Sequence, residues 1–233
     1  MMLDIVWEDE AILVVRKPSG IESQSGKSLS MDMVSLIKNE LMFRQRKAGK
    51  NLQEPYVGII HRLDRPVNGV MVYAKTPFAA AQLSRQVQNH QMKKKYYALL
   101  CQTPAQKEGK LTDYLIQDKK NNMSRVATKE EEERKDAKKA VLQYRIIENT
   151  SFSAFDFINE AERESLCLVD IALITGRHHQ IRVQFSHIGC PIWGDTKYNP
   201  DWNGKKNIGK IGLCAYELTF FHPITKQQMT VRY

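Results

Sequence analysis

Apolar positions along the chain change period from segment to segment, and those changes place the elements. Two short β-branched runs, 3–7 and 11–15, flank the acidic stretch Glu8-Asp9-Glu10 and predict a strand pair. Lys17-Pro18-Ser19-Gly20 breaks the second strand, and 20–30 is a polar loop. Met33, Ile37 and Leu41 then recur every fourth residue with Val34 beside them. They predict a helix capped by Ser30, with Asp32 in its first turn, running to about Phe43. The basic stretch 44–51 reads as a surface loop, equally suited to touching a polyanion or to plain solvation. Residues 57–75 are apolar at both ends and polar between, a hairpin-like pattern with Asn68-Gly69 as its turn signal. Thr76-Pro77 starts a second helix, with Ala79, Ala80, Leu83 and Val87 on its apolar side.

Further along, three lysines (93–95) lead into a strand over 96–102. Residues 107–123 mix Gly, Asp, Lys and Asn, an excursion with one short strand near 111–116. The run 129–139 carries mixed charge without an apolar stripe and reads as a solvated helix or loop. Strands follow over 141–147 and 166–174, with Phe152, Phe155 and Phe157 between them as core cover. Ile181, Phe185 and Ile188 recur at helical spacing after His178 until Gly189-Cys190-Pro191 stops them. A hairpin around His222-Pro223 joins 211–221 to 228–232. Strands outnumber helices without regular βαβ alternation, which predicts an α+β fold on a mixed, mainly antiparallel central sheet with flanking helices.

Composition narrows the partners. The chain has 233 residues, enough for one large domain over 1–233 or two intimate subdomains. It carries 35 lysines and arginines against 26 aspartates and glutamates, a formal net charge of +9. That excess points to a polyanion, nucleic acid before acidic membrane. Cys101, Cys167, Cys190 and Cys214 are far apart, form no CxxC pair and sit among apolar neighbours, so they read as buried thiols. No apolar run follows a basic start and none approaches a membrane span, so the protein is expected in the cytoplasm, as a monomer without an evident obligate protein partner.

The chemistry concentrates in His61-Arg62-Leu63-Asp64-Arg65-Pro66, where a lone carboxylate lies between two arginines at a strand end. Local sequence alone fits a turn-capping aspartate better than a catalytic one. The wider pattern reverses that. His61-Arg62-Leu63-Asp64, followed by Gly69 and Ala74-Lys75-Thr76, resembles the signature of the RluA family of RNA pseudouridine synthases. Arg16-Lys17-Pro18-Ser19-Gly20, Lys94-Lys95-Tyr96-Tyr97-Ala98 and the stretch from Thr175-Gly176-Arg177-His178-His179-Gln180-Ile181-Arg182-Val183 to Gly194-Asp195 resemble its other blocks, in order. The resemblance runs from about Ile12 to Pro223, with no small RNA-binding module expected ahead of it.

The resemblance implies that the chain isomerises uridine in rRNA or tRNA. The C–N glycosidic bond breaks, the uracil turns, and the ribose rejoins at carbon 5. No cofactor and no metal is needed. The resemblance makes Asp64 the catalytic carboxylate, like the carboxylates that meet oxocarbenium character in glycosidases. Attack on the sugar, attack on the uracil and proton abstraction all stay open for it. Tyr96 is implied to stack on the uracil or move a proton, and Arg182 to pair with Asp64. Read from its neighbours alone, Arg182 is a helix residue beside Ile181 and Phe185, and an arginine near a core needs a carboxylate. His61, Arg62 and Arg65 are implied to shape the loop that flips the base. Lys94, Arg177, His178 and Gln180 are implied RNA-binding or wall residues. His178, His179 and His187 superficially suggest a metal cluster, but no carboxylate is spaced to complete it. Arg16 stands where the family usually has Asn, Val67-Asn68 where it has Thr-Ser, and Gln184 where His is common. The competing readings are a catalytically silent RNA-binding protein on the same fold and a hydrolase built on Asp64; no second acid supports the latter.

Overall fold

The structure, a computed structural model, describes residues 3–25, 31–49, 51–148, 153–202 and 210–233. By its internal contacts the chain divides into two compact units, residues 1–93 with 215–233 and residues 94–214.

In the first unit, β1 (Ile5–Glu8) and β2 (Ile12–Lys17) pair antiparallel. Asp9 makes the turn, accepting from the amides of Ala11 at 2.7 Å and Ile12 at 2.8 Å. Helix α1 (Met33–Lys47) is capped by Asp32, whose carboxylate accepts from the Ser35 amide at 2.7 Å. The expected cap, Ser30, lies outside the described residues; Asp32 caps instead of occupying the first turn. The helix also runs past Phe43. Its last turn carries Arg44, Arg46 and Lys47, good helix formers whose charge suits a helix C-terminus. Arg44 is held there by Glu40 and Glu8 at 2.8 and 2.7 Å. Much of the loop expected over 44–51 is therefore helix.

Strands β3 (Gly58–Ile59) and β4 (Asn68–Ala74) follow. β4 pairs with both β2 and β3, and every one of its residues is buried. A strand covered on both faces shows a continuous apolar run instead of alternation. Asn68-Gly69 opens this strand and is not a turn. Gly69 has φ +144°, and a Cβ there would fall 2.4 Å from the Ala215 carbonyl oxygen. The glycine serves close backbone approach. Helix α2 (Pro77–Gln88) starts as expected, with the Thr76 hydroxyl accepting from the Ala79 amide at 3.1 Å. It buries Ala79 and Leu83 against Ile12, Val14, Val70, Val72 and Phe220.

The second unit is antiparallel throughout its registered pairs, in the order β5-β9-β8-β6-β7. Its strands are β5 (Lys93–Leu100), β6 (Glu108–Asp118), β7 (Met123–Val126), β8 (Lys138–Ile146) and β9 (Cys167–Leu173). The expected short strand over 111–116 is the middle of β6, which pairs along its whole length with β8 and then β7. Cross-strand pairing extends it through residues whose polarity hides it. Residues 129–139 form a short 3-10 turn (Lys129–Glu131), further turns and the start of β8, gathered around Glu131, which both Arg125 and Arg134 grip. Helix α3 (Glu160–Glu164) was not expected. It is too short and polar to show a stripe, and it hangs on the Asn159 cap. Helix α4 (Gln180–His187) follows β9, and a short 3-10 turn (Pro200–Trp202) comes after it. Phe155 is buried and Phe157 half-buried, while Phe152 lies outside the described residues.

The chain returns in β10 (Leu213–Phe221), beside β4, and closes with β11 (Gln228–Arg232) paired to it. The fold is α+β and mainly antiparallel. Among the described residues no helix is long and apolar enough to cross a membrane. The four cysteines are free thiols; three are buried and Cys101 is partly exposed.

Candidate active site

Asp64 opens a tight turn in the first unit. The Val67 amide donates to its carbonyl at 3.0 Å, with Arg65 and Pro66 at the corner. Leu63 and Val67 are buried on either side and pin the turn into the unit. Asp64 between them is half-buried, whereas Arg62 and Arg65 are exposed. Apolar residues thus anchor the turn and leave both arginines exposed.

Residues 17–23 clamp this turn from behind. The Ser23 hydroxyl accepts from the Leu63 amide at 2.9 Å and donates to the Leu63 carbonyl at 2.8 Å. The Ser19 hydroxyl donates to the Pro66 carbonyl at 2.7 Å. The Gly20 amide donates to the Arg65 carbonyl at 2.8 Å, and Arg65 Nε returns a bond to the Gly20 carbonyl at 3.0 Å. Lys17 completes the clamp. It is fully buried, and its Nζ donates to the carbonyls of Ile21 (2.7 Å), Pro18 (2.8 Å) and Arg65 (3.2 Å). Burial pulls its pKa down to about 7, with the negative charge of Asp64 acting in the opposite direction. His61 is buried, and its Nε2 accepts from the Val72 amide at 3.3 Å, so it braces the loop against β4.

The other sequence-predicted residues belong to the second unit. Tyr96 is buried in β5 opposite Ile171. Lys94 lies two residues earlier on the same strand face. A Cβ on Gly176 would sit 3.2 Å from its Nζ, and burial lowers its pKa. Gln180 organises the turn after β9, its Oε1 accepting from the Thr175 hydroxyl (2.7 Å) and the Arg177 amide (3.0 Å). Arg177 is exposed, and its Nε donates to the Lys139 carbonyl at 2.9 Å. His178 joins this turn to the β6–β7 connection, with Nδ1 2.9 Å from Ser124 Oγ and Nε2 3.0 Å from Asn122 Oδ1. Its ring stacks on His179 at 3.7 Å between centroids. Among the described residues no three of the His, Cys, Asp and Glu side chains gather to hold a metal.

Arg182 is buried in α4 and meets Asp195, itself fully buried. Nε donates to Oδ2 at 2.8 Å and Nη2 to Oδ1 at 2.7 Å. This pair supplies the carboxylate that an arginine near a core requires. It engages two of the five N–H donors of the guanidinium. The sequence reading named Asp64 as the partner and passed over Asp195, although Asp195 closes the block quoted there. It also passed over Lys17 and Ser23. Their signal was position within or beside a recognised block, without any local pattern of burial to single them out.

Comparison with known proteins bears on the family and the fold. A family model described as RNA pseudouridylate synthase matches residues 11–187. The chain is 29% identical over 236 residues to tRNA pseudouridine synthase C of Vibrio cholerae, spanning 99% of this chain and 90% of that protein. The same-named protein of Vibrio parahaemolyticus is 30% identical, over 99% of this chain and 89% of its own. YlyB of Bacillus subtilis, an uncharacterised RNA pseudouridine synthase, is 32% identical over 97% of this chain and 66% of its own. Among solved structures, human RNA pseudouridylate synthase domain containing 4 superposes with a TM-score of 0.70 at 23% identity, covering 99% of this chain and 87% of that one. At that identity the likeness concerns the fold.

Proposed function

The chain belongs to the RNA pseudouridylate synthase family and is an isomerase of uridine in RNA; from that premise we propose which residues act and on which RNA. Asp64 is the catalytic carboxylate. The observation that carries this is the clamp around its turn. Five hydrogen bonds from or to residues 17–23 fix the backbone of Leu63, Arg65 and Pro66, a sixth ties the Arg65 side chain to Gly20, and a reacting group gains most from a position set in advance. Tyr96 faces the uracil, for stacking or proton transfer. Arg182, gripped by Asp195, serves the reacting complex as a fixed cation. Arg62, Arg65, Lys94 and Arg177 contact RNA. His61, His178 and Gln180 serve by holding the turns that carry those cations, since their own ring or amide atoms are engaged within their units.

During turnover the N1–C1′ bond breaks, the uracil rotates, C5 bonds to C1′, the C5 proton leaves and N1 takes one up, so the product is an isomer of the substrate. The base stays in the site and nothing else is consumed. The substrate is tRNA or rRNA. Relatives named tRNA pseudouridine synthase C match this chain over nearly their whole length, which favours tRNA. The protein works in the cytoplasm as a monomer, without a cofactor.

Incubation with bulk tRNA and rRNA, followed by carbodiimide labelling and reverse-transcription stops, tests this. New stops at defined uridines, absent with Asp64→Asn, are expected. RNA binding without any new stop would replace the enzyme with a silent binder.

A further inference from the structure

We propose that Tyr198, together with Asp195, is the positioning residue for Arg182; the catalytic part of this rests on the reading of Arg182 given above. An arginine side chain loses rotamer freedom when it is fixed, so something must hold the Arg182 guanidinium in one orientation. Asp195 holds one edge. Its own carboxylate is fixed in turn, because Oδ1 also accepts from the backbone amides of Lys197 (3.0 Å) and Tyr198 (3.2 Å). Tyr198 holds a face, with its ring centroid 5.2 Å from Arg182 Cζ.

Tyr198 is itself tied at three further points. Its hydroxyl accepts from the Ser124 amide at 2.8 Å and shares a hydrogen bond with His179 Nδ1 at 2.7 Å. Its carbonyl accepts from the Ser186 hydroxyl at 2.6 Å. The ring is thereby fixed to β7, to the turn before α4 and to α4 itself. His179 adopts a left-handed conformation at φ 54°, and its ring stacks on His178. One edge and one face of the guanidinium are set by groups that cannot drift independently. The orientation of the whole guanidinium is then set by the scaffold.

The test separates aim from stability. Single-turnover rates at saturating tRNA, RNA affinity and the Arg182 Nε–H resonance are measured in wild type, Tyr198→Phe, Tyr198→Leu and Asp195→Glu. The resonance is assigned by its loss in Arg182→Lys. Tyr198→Phe keeps the ring but loses the two hydroxyl bonds that hold it, and is expected to fall between wild type and the leucine variant. Tyr198→Leu removes the ring and is expected to lower the rate roughly 30-fold at near-constant RNA affinity, within the cost of a misplaced group of order 10²-fold. Asp195→Glu keeps the charge pair, displaces it by one methylene, and serves if the leucine variant does not fold. Both rate losses should vanish in an Arg182→Lys background, and both variants should broaden or shift the Nε–H signal. Rate losses that multiply with Arg182→Lys, or an unchanged signal in folded variants, would overturn the proposal. If the wild-type chain modifies no RNA, the functional reading fails, and the Nε–H comparison alone decides whether Tyr198 and Asp195 fix Arg182.

Discussion

Lys17 is solvated by three backbone carbonyls instead of water, and this makes one residue a measurable part of the site. Burial lowers its pKa from 10.5 to about 7, against the smaller opposing pull of Asp64. Between those values the unfolded chain keeps a proton that the folded chain releases. Stability from this group therefore rises with pH from about 7 towards 10 and is lowest below 7. Urea midpoints of wild type relative to Lys17→Met should rise across that window; a flat difference would show that the ammonium stays charged. At pH 7 the variant strands three buried acceptors and should lose about 1–3 kcal/mol. Asp64→Asn is the complementary case. On the proposed reading it removes the reacting carboxylate and no phosphate contact, so isomerisation should disappear while RNA affinity stays within about threefold. A variant retaining a sizeable part of wild-type turnover would dismiss Asp64 as the catalytic carboxylate. His61 shows what residue identity alone misses: a histidine in a reactive-looking tetrapeptide proves to be buried, accepting from a backbone amide.

At the scale of elements, the second helix was legible because its whole start is local. Thr76 caps, Pro77 fits the first turn, and the apolar side repeats at helical spacing. The turn before β4 was misplaced because two signals competed. Asn68-Gly69 has turn chemistry, but Gly69 is there for its neighbour in β10. Gly69→Ala places a Cβ 2.4 Å from the Ala215 carbonyl oxygen at φ +144°. It should cost at least about 2 kcal/mol, read as a lowered melting temperature. A neutral substitution would mean that β4 and β10 can part without penalty. Strand β6 teaches a related lesson. Most of its residues are exposed or half-buried, and it exists because β8 and β7 pair with its backbone.

At the scale of the whole molecule the net charge of +9 acts as a single quantity. Binding to a polyanion releases counterions, so raising salt from 50 to 200 mM should weaken RNA affinity by roughly 10³ if about six phosphates are neutralised. A filter-binding series checks the slope, and a shallow one would put base contacts ahead of phosphate contacts. Chelator should leave turnover on prefolded RNA unchanged. Loss of activity that magnesium or zinc restores, with the RNA fold intact, would contradict the metal-free chemistry. The two-unit division sets where the catalytic candidates arise, with Asp64 from the first unit and Tyr96 and Arg182 from the second.

The sequence by itself determined the class of fold, the position of most strands along the chain, the family and the blocks in which Asp64, Tyr96 and Arg182 lie. Each of those rests on local period, local capping or an ordered set of short motifs, all of which are written in consecutive residues. Only the tertiary structure decided that Lys17, Ser19 and Ser23 clamp the Asp64 turn across some 40 residues of chain. It alone decided that Asp195 and Tyr198 flank Arg182, and that Gly69 yields to Ala215. The physical reason is the same in each case. A buried ammonium, guanidinium or glycine is chosen by what packs against it, and that neighbour is brought near by the folded backbone and not by the sequence around the residue.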